Sequence, residues 1–195
     1  MQTQPGTANA RAKLLDAAIA VIRRQGFAAT TVDDLCRHAG VSKGAFFHYF
    51  ASKEDLGVAA AAYWSESTAS LFAKAPYHSA TDPLARVLAY IDFRKALLQG
   101  AVPEFTCLAG TMVQETYDSV PPIRDACRAA IFDHAHTLEA DIQAAIDTPG
   151  MPLGCSAEGL ALHTQAVLPG AFILAKAKGH ESGPADSFDH LRGYL

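Results

Sequence analysis

The sequence predicts an all-α protein. Alanine is abundant, runs of β-branched residues are scarce, and most prolines and glycines fall between segments whose apolar residues recur at helical spacing. Half of the 195 residues are hydrophobic and 18% are charged, which suits a compact chain with a real core and excludes a disordered one. About nine helices are expected, the first three forming a small N-terminal bundle.

The first helix is expected over residues 8–24, with Leu14, Leu15, Ala18, Ile19 and Ile22 on one stripe and Gly26 as its stop. Phe27 then returns the chain to the core. Thr30 and Thr31 offer a capping hydroxyl to a second helix carrying Val32, Leu35, Cys36 and Ala39, which Gly40 ends. Ser42 caps a third, over 43–47. Two short helices joined only through Gly40 and Val41 meet the spacing of a helix-turn-helix: the glycine supplies a left-handed backbone and Val41 packs between the helices. A fourth helix opens near Ser52, with Glu54 and Asp55 suited to its positive end, and continues through Trp64 to about Phe72. Five more are expected at 82–98, 104–117, 122–146, 157–178 and 187–195, separated by Gly100-Ala101-Val102-Pro103, Val120-Pro121-Pro122, a loop at 148–154 and the stretch 179–184. Pro169-Gly170 is expected to kink the helix that contains it.

Several function classes have no support in the residues. Cys36, Cys107, Cys127 and Cys155 are scattered without a CxxC pair, so neither a zinc site nor a disulfide framework is expected, and buried reduced thiols are the simplest reading. His134 and His136 lie two apart on a helix and point in nearly opposite directions, which makes a poor metal pair; both are expected to be solvated or singly hydrogen-bonded. No nucleophile–base constellation and no Gly-rich phosphate loop occurs, so no enzyme activity and no cofactor are expected. No apolar run is read as long enough for a membrane span, and Met1-Gln2-Thr3-Gln4-Pro5 lacks the pattern of a secretory signal, so the expected location is the cytoplasm.

The net charge of −4 hides an asymmetry. Through Lys53 there are seven basic residues (Arg11, Lys13, Arg23, Arg24, Arg37, Lys43, Lys53) against three acidic ones (Asp16, Asp33, Asp34), so this part is +4 and the remainder −8. That distribution suits a small DNA-facing headpiece on an acidic body.

Residues 30–56 carry the sharpest pattern: Thr30-Thr31-Val32-Asp33-Asp34-Leu35, then Ala39-Gly40-Val41-Ser42-Lys43-Gly44-Ala45-Phe46-Phe47-His48-Tyr49-Phe50, then Ser52-Lys53-Glu54-Asp55-Leu56. This stretch resembles the DNA-binding signature of the TetR family of transcriptional regulators. The resemblance covers roughly residues 11–60, and the rest matches in helix count and length. The residues support it independently. A short helix presenting Lys43, Gly44, Phe47 and His48 can enter a major groove, where Lys reaches guanine acceptors, an aromatic edge meets a thymine methyl, and Gly44 allows close backbone approach. Phe46 to Phe50 are contiguous, so a helix must expose some of these aromatics beside basic residues. Phe46 and Phe50 are assigned to the headpiece core with Phe27, Val32, Leu35 and Val41. By resemblance Tyr49 and Lys53 contact the sugar-phosphate backbone, while Thr31 and Ser42 can offer hydroxyl or N–H groups to phosphates.

The resemblance implies a DNA-binding headpiece at 1–53 and a helical effector-binding and dimerisation domain at 54–195. The implied partners are double-stranded operator DNA, a small-molecule effector and a second copy of the chain, with no membrane. A palindromic operator would be released when effector binding changes the headpiece spacing. The expected effector wall comprises Trp64, Phe72, Tyr90, Phe93, Phe105, Cys107, Met112, Tyr117 and Phe132. Cys107 has no basic neighbour in sequence to depress its pKa, which favours an inert thiol over a redox or electrophile sensor. The last two helices are expected to form the dimer interface through Leu160, Thr164, Val167, Leu168, Ala171, Phe172, Ala175 and Leu191, small residues permitting close approach. The alternative is an all-helical small-molecule-binding protein or enzyme that does not bind DNA.

Overall fold

The computed structural model describes residues 5–148, 154–179 and 182–195. Among these there is no strand, and ten α-helices follow one another: α1 (Pro5–Gln25), α2 (Val32–Ala39), α3 (Lys43–Tyr49), α4 (Lys53–Ala73), α5 (Pro83–Ala96), α6 (Val102–Phe105), α7 (Leu108–Thr116), α8 (Pro121–Ile146), α9 (Ala157–Lys178) and α10 (Ser182–Tyr194). A 3-10 turn at Pro76–Ser79 lies between α4 and α5.

The helix ends have local chemical causes. Gly26 stops α1 at φ 87°, and Gly40 ends α2 at φ 64°, donating its N–H to the Cys36 carbonyl. Thr31 and Asp34 form a reciprocal cap at the start of α2: the Thr31 hydroxyl accepts from Asp34 N at 3.1 Å, and the Asp34 carboxylate accepts from Thr31 N at 3.1 Å. Ser42 caps α3 by accepting from Ala45 N at 3.1 Å.

One expected element divides in two. The single helix read over 104–117 is broken because Thr106 and Cys107 are both extended, with ψ of 156° and 126°, and Cys107 restarts the chain by accepting from Gly110 N at 3.3 Å. The last helix begins at Ser182, earlier than position 187. α9 runs from 157 to 178 with Pro169 inside it. The readings at residues 1–4, on most of the 148–154 loop (149–153) and on 180–181 lie outside the described residues.

The chain packs as two compact units. The first comprises Met1–Ser67 and Cys107–Ala130. Its core holds Leu14, Leu15, Val21 and Ile22 of α1, Leu35 of α2, Phe46 of α3, Leu56 of α4, and Leu108, Met112 and Ile123 from α7 and α8. Gly57 allows α4 to sit close in this core, since a Cβ there would lie 2.8 Å from Ile123 and 2.9 Å from Phe27. Glu115 of α7 accepts from Ala28 N at 2.7 Å and so holds the turn after α1.

The second unit comprises Thr68–Thr106 and Ile131–Leu195. It buries Tyr90 and Ile91 of α5, Leu138 and Ile142 of α8, Leu160, Leu168 and Phe172 of α9, and Phe188 and Leu191 of α10. Ion pairs Lys95–Asp189 at 2.6 Å and Arg192–Asp92 at 3.1 Å tie α10 to α5. α4 and α8 each begin in one unit and end in the other.

The reading that no apolar run reaches span length needs correction at α9, whose 22 residues contain an 18-residue window of mean hydropathy 1.2. The same helix turns eight residues, from Ala157 to Ala175, into the interior of the second unit.

Candidate functional site

The third helix is short, and its faces differ sharply. Phe46 is fully buried and Phe50, at the C-cap, is nearly so, while Phe47 is 56% exposed and His48 is exposed beside it. Lys43 and Gly44 are exposed at the N-terminal end of the same helix. A Cβ at Gly44 would meet nothing nearer than the Ser42 hydroxyl at 3.7 Å, so no described residue requires glycine there. The expected reading face and the expected core face thus fall on opposite sides, as a helix of this pattern dictates. Phe27 and Leu35 join the buried set, whereas Val32 and Val41 are half-buried.

Around this face the basic and hydroxyl groups are already engaged. Lys43 pairs with Asp33 of α2 at 2.8 Å, with both side chains largely exposed; this contact raises the lysine pKa. The Lys53 ammonium donates to the Phe27 carbonyl at 3.1 Å and lies 4.5 Å from the Phe27 ring centroid, anchoring the start of α4 to the turn after α1. The Thr31 hydroxyl donates to Asp34 at 2.7 Å; this bond, with that from the Thr31 N–H, lowers the Asp34 pKa. The Ser42 oxygen accepts in its cap, which leaves its proton for an outside acceptor. Tyr49 is half-buried, its ring 4.8 Å from that of His48.

The nine residues expected to line an effector site are divided between the two units. Phe72, Tyr90 and Phe93 meet in the second unit, with ring centroids of 5.8 Å for Phe72–Tyr90 and 5.5 Å for Phe72–Phe93. Phe105 packs instead on Phe172 at 6.1 Å. Trp64, Cys107, Met112 and Tyr117 belong to the first unit, where Arg23 lies over the Trp64 ring at 4.9 Å and Met112 is fully buried. Tyr117 and Phe132 are exposed at 64% and 52%.

The aromatic cluster encloses polar groups that the sequence reading overlooked. The Tyr90 hydroxyl lies 2.9 Å from His134 Nε2 and accepts from Arg94 Nη1 at 3.0 Å and from Gln165 at 3.3 Å. Burial, reinforced by the Arg94 charge, pushes the His134 pKa down to about 3, so its ring is neutral at ordinary pH. With Nε2 unprotonated, Tyr90 donates to it, and both partners are satisfied. Tyr77 completes the cluster 5.4 Å from Tyr90 and 5.9 Å from Phe93, its pKa raised to about 12 chiefly by burial. Of the two states expected for His134, solvated or singly hydrogen-bonded, burial excludes the first and the Tyr90 contact fits the second, while His136 is exposed and pairs with Glu139 at 3.0 Å. Two signals in the sequence point to this cluster: Tyr90 and Arg94 are four apart on one helix face, and His134 lies in the stripe with Ile131, Ala135 and Leu138.

With these geometries established, comparison with known proteins decides the family. Residues 14–60 match the model described as "Bacterial regulatory proteins, tetR family", and residues 83–191 match the one described as "Tetracyclin repressor-like, C-terminal domain". The chain belongs to the TetR family. It is 28% identical over 135 residues to the transcriptional regulator AcuR of Cereibacter sphaeroides, 69% of this chain and 60% of that one. It is 44% identical over 46 residues to the transcriptional repressor KstR2 of Mycobacterium tuberculosis, 24% of this chain and 23% of that one. The matched stretches thus span less than two thirds of these relatives. A TetR-family regulator from Agrobacterium tumefaciens shares the fold at a TM-score of 0.86 and 20% identity, over 97% of this chain and 98% of that one.

The residues expected to form a dimer interface are mostly turned inward. Leu160, Thr164, Leu168, Ala171, Phe172, Ala175 and Leu191 are all buried within the single chain, and only Val167 is half-exposed. A helix apolar on more than one side gives no sign in sequence of which side faces its own core. The outward apolar residues are Ile173 and Leu174, 49% and 51% exposed, and Tyr194, 64% exposed. Among the cysteines, Cys36 and Cys127 are buried, and burial together with the nearby Cys107 pushes the Cys127 thiol up to about 12.

Proposed function

We propose that the protein is a ligand-responsive repressor that binds a palindromic operator as a homodimer in the cytoplasm and is released by a small molecule. The observation that carries this reading is the exposure of Phe47 and His48 beside Lys43 and Gly44, on a helix whose other side is locked into the headpiece core by Phe46. Within the groove, Lys43 and His48 would reach base acceptors and Phe47 a thymine methyl, while Ser42, Tyr49 and Thr31 would meet phosphates. Lys43 must exchange Asp33 for DNA, and Lys53 must share its ammonium with the Phe27 carbonyl. The repressor direction is supported by the name of KstR2, a transcriptional repressor 44% identical to this chain over 46 residues.

The dimer is proposed to form through the outward side of α9 and α10, at Ile173, Leu174 and Tyr194, in place of the inward residues. Twofold pairing suits two half-sites about 34–36 Å apart, and an effector that changes this spacing by a few ångströms would release the operator. The effector is proposed to bind at the Phe72–Tyr77–Tyr90–Phe93 cluster, where rings supply contact area and buried polar groups supply orientation.

Selection of genomic fragments with the purified protein, followed by quantitative gel shifts, tests the reading. A specific complex that weakens steeply with salt and loses about tenfold or more in affinity on Lys43→Ala is expected. Failure to select any fragment, or indifference to the substitution, contradicts it.

A further inference from the structure

We propose that Arg94 is the docking group for a carboxylate ligand with an apolar body, bound in the second unit; the inference rests on reading that unit as the effector domain. Four charged residues lie on α5, and three have a partner of opposite sign: Arg86 with Asp141, Asp92 with Arg192, and Lys95 with Asp189. Arg94 has none among the described residues, although it is half-buried beside Phe72 and Tyr90, with its guanidinium carbon 5.3 and 5.8 Å from their ring centroids. A cation withdrawn from water without a counter-charge is unfavourable unless something else supplies the charge.

The hydrogen bonds indicate which edge of the guanidinium is available. Nη1 donates to the Tyr90 hydroxyl at 3.0 Å and lies 3.2 Å from His134 Nε2, whose single lone pair takes the Tyr90 proton, so this edge of the guanidinium is turned toward the Tyr90–His134 pair. The Nε and Nη2 groups make no hydrogen bond with any described residue. These two groups form the flat side-on fork of the guanidinium, which matches the two oxygens of a carboxylate. Tyr90 cannot compete for the anion, because its oxygen already accepts from Arg94 and Gln165 while its proton lies toward the His134 ring. His134, held neutral, adds no second positive charge, so the site offers one charge and one fork. Phe72, Tyr77 and Phe93 around it favour an apolar or aromatic body over a hydrated dianion such as phosphate.

The test is calorimetric titration of the full chain with benzoate, phenylacetate and hexanoate, each against its neutral amide, with inorganic phosphate as a further arm. At least one acid is expected to bind about tenfold or more tightly than its amide. Arg94→Gln should reduce that acid to the affinity of the amide while operator binding by the unliganded protein is retained, and Arg94→Lys should keep part of the preference. Equal binding of acid and amide, no binding of any acid up to about 10 mM, phosphate displacing the acids, or an Arg94→Gln protein that keeps the preference each overturns the proposal. The acid–amide comparison needs no variant, so it decides even if the substitution disturbs folding. Adding the bound acid to the operator complex separates the two readings: binding without any change in operator affinity supports the anion site and overturns the effector role of the unit.

Discussion

His134 shows at the scale of one residue how burial sets charge. Its ring is desolvated by the aromatic cluster and faces the Arg94 cation, so the neutral form is favoured in the folded state and the pKa falls from 6.5 to about 3. The unfolded chain therefore binds a proton that the folded chain does not over roughly this interval, and stability falls as pH drops from about 6.5 toward 3, by up to about 1.4 kcal/mol per pH unit. Urea unfolding at pH 7 and pH 5 is expected to show a shallower loss on acidification for His134→Gln than for the wild type; parallel losses would contradict this. His134 was hard to read from the sequence because a lone histidine on a helix is as often solvated as buried. Phe46, Phe47 and Phe50 were legible, because contiguous aromatics on a short helix must divide between inside and outside.

At the scale of the element, caps and stops were the most readable features, since each depends on a few neighbouring residues. Thr31, Ser42, Gly26 and Gly40 occupy the positions their chemistry requires. The break between α6 and α7 was not readable, because it depends on two extended residues inside an apolar run with no glycine or proline between them. Gly26 carries more than a helix stop. At φ 87° a side chain is strained, and a Cβ would collide with the Glu115 carboxylate that holds Ala28 N–H. Gly26→Ala is expected to cost about 1–3 kcal/mol from left-handed strain and the disturbed hydrogen bond. The cost should shrink in a Glu115→Ala background, where the collision is gone; thermal melts of the two single variants and the double variant measure the difference.

For the whole molecule, local signals identified the class of fold and the helix-turn-helix, but not which surfaces meet a partner. The expected interface of α9 and α10 proved to be the inner side of the second unit, because Leu160, Leu168 and Phe172 serve the core of a single chain. If Ile173 and Leu174 form the dimer seam, the double substitution Ile173→Asp, Leu174→Asp should yield a helical monomer by light scattering with operator affinity reduced by about tenfold or more. Leu168→Asp, which places a charge in the core, should instead unfold the chain. A double variant that remains dimeric would move the seam elsewhere.

The outward side of α3 is tested most directly by the ratio of operator affinity to affinity for unrelated duplex at one salt concentration, measured for the wild type and for Phe47→Ala, His48→Ala. Both residues are exposed, so the variant is expected to stay folded at 25 °C and keep its affinity for unrelated duplex while the ratio falls by about tenfold or more. An unchanged ratio would mean that this helix face does not read the operator.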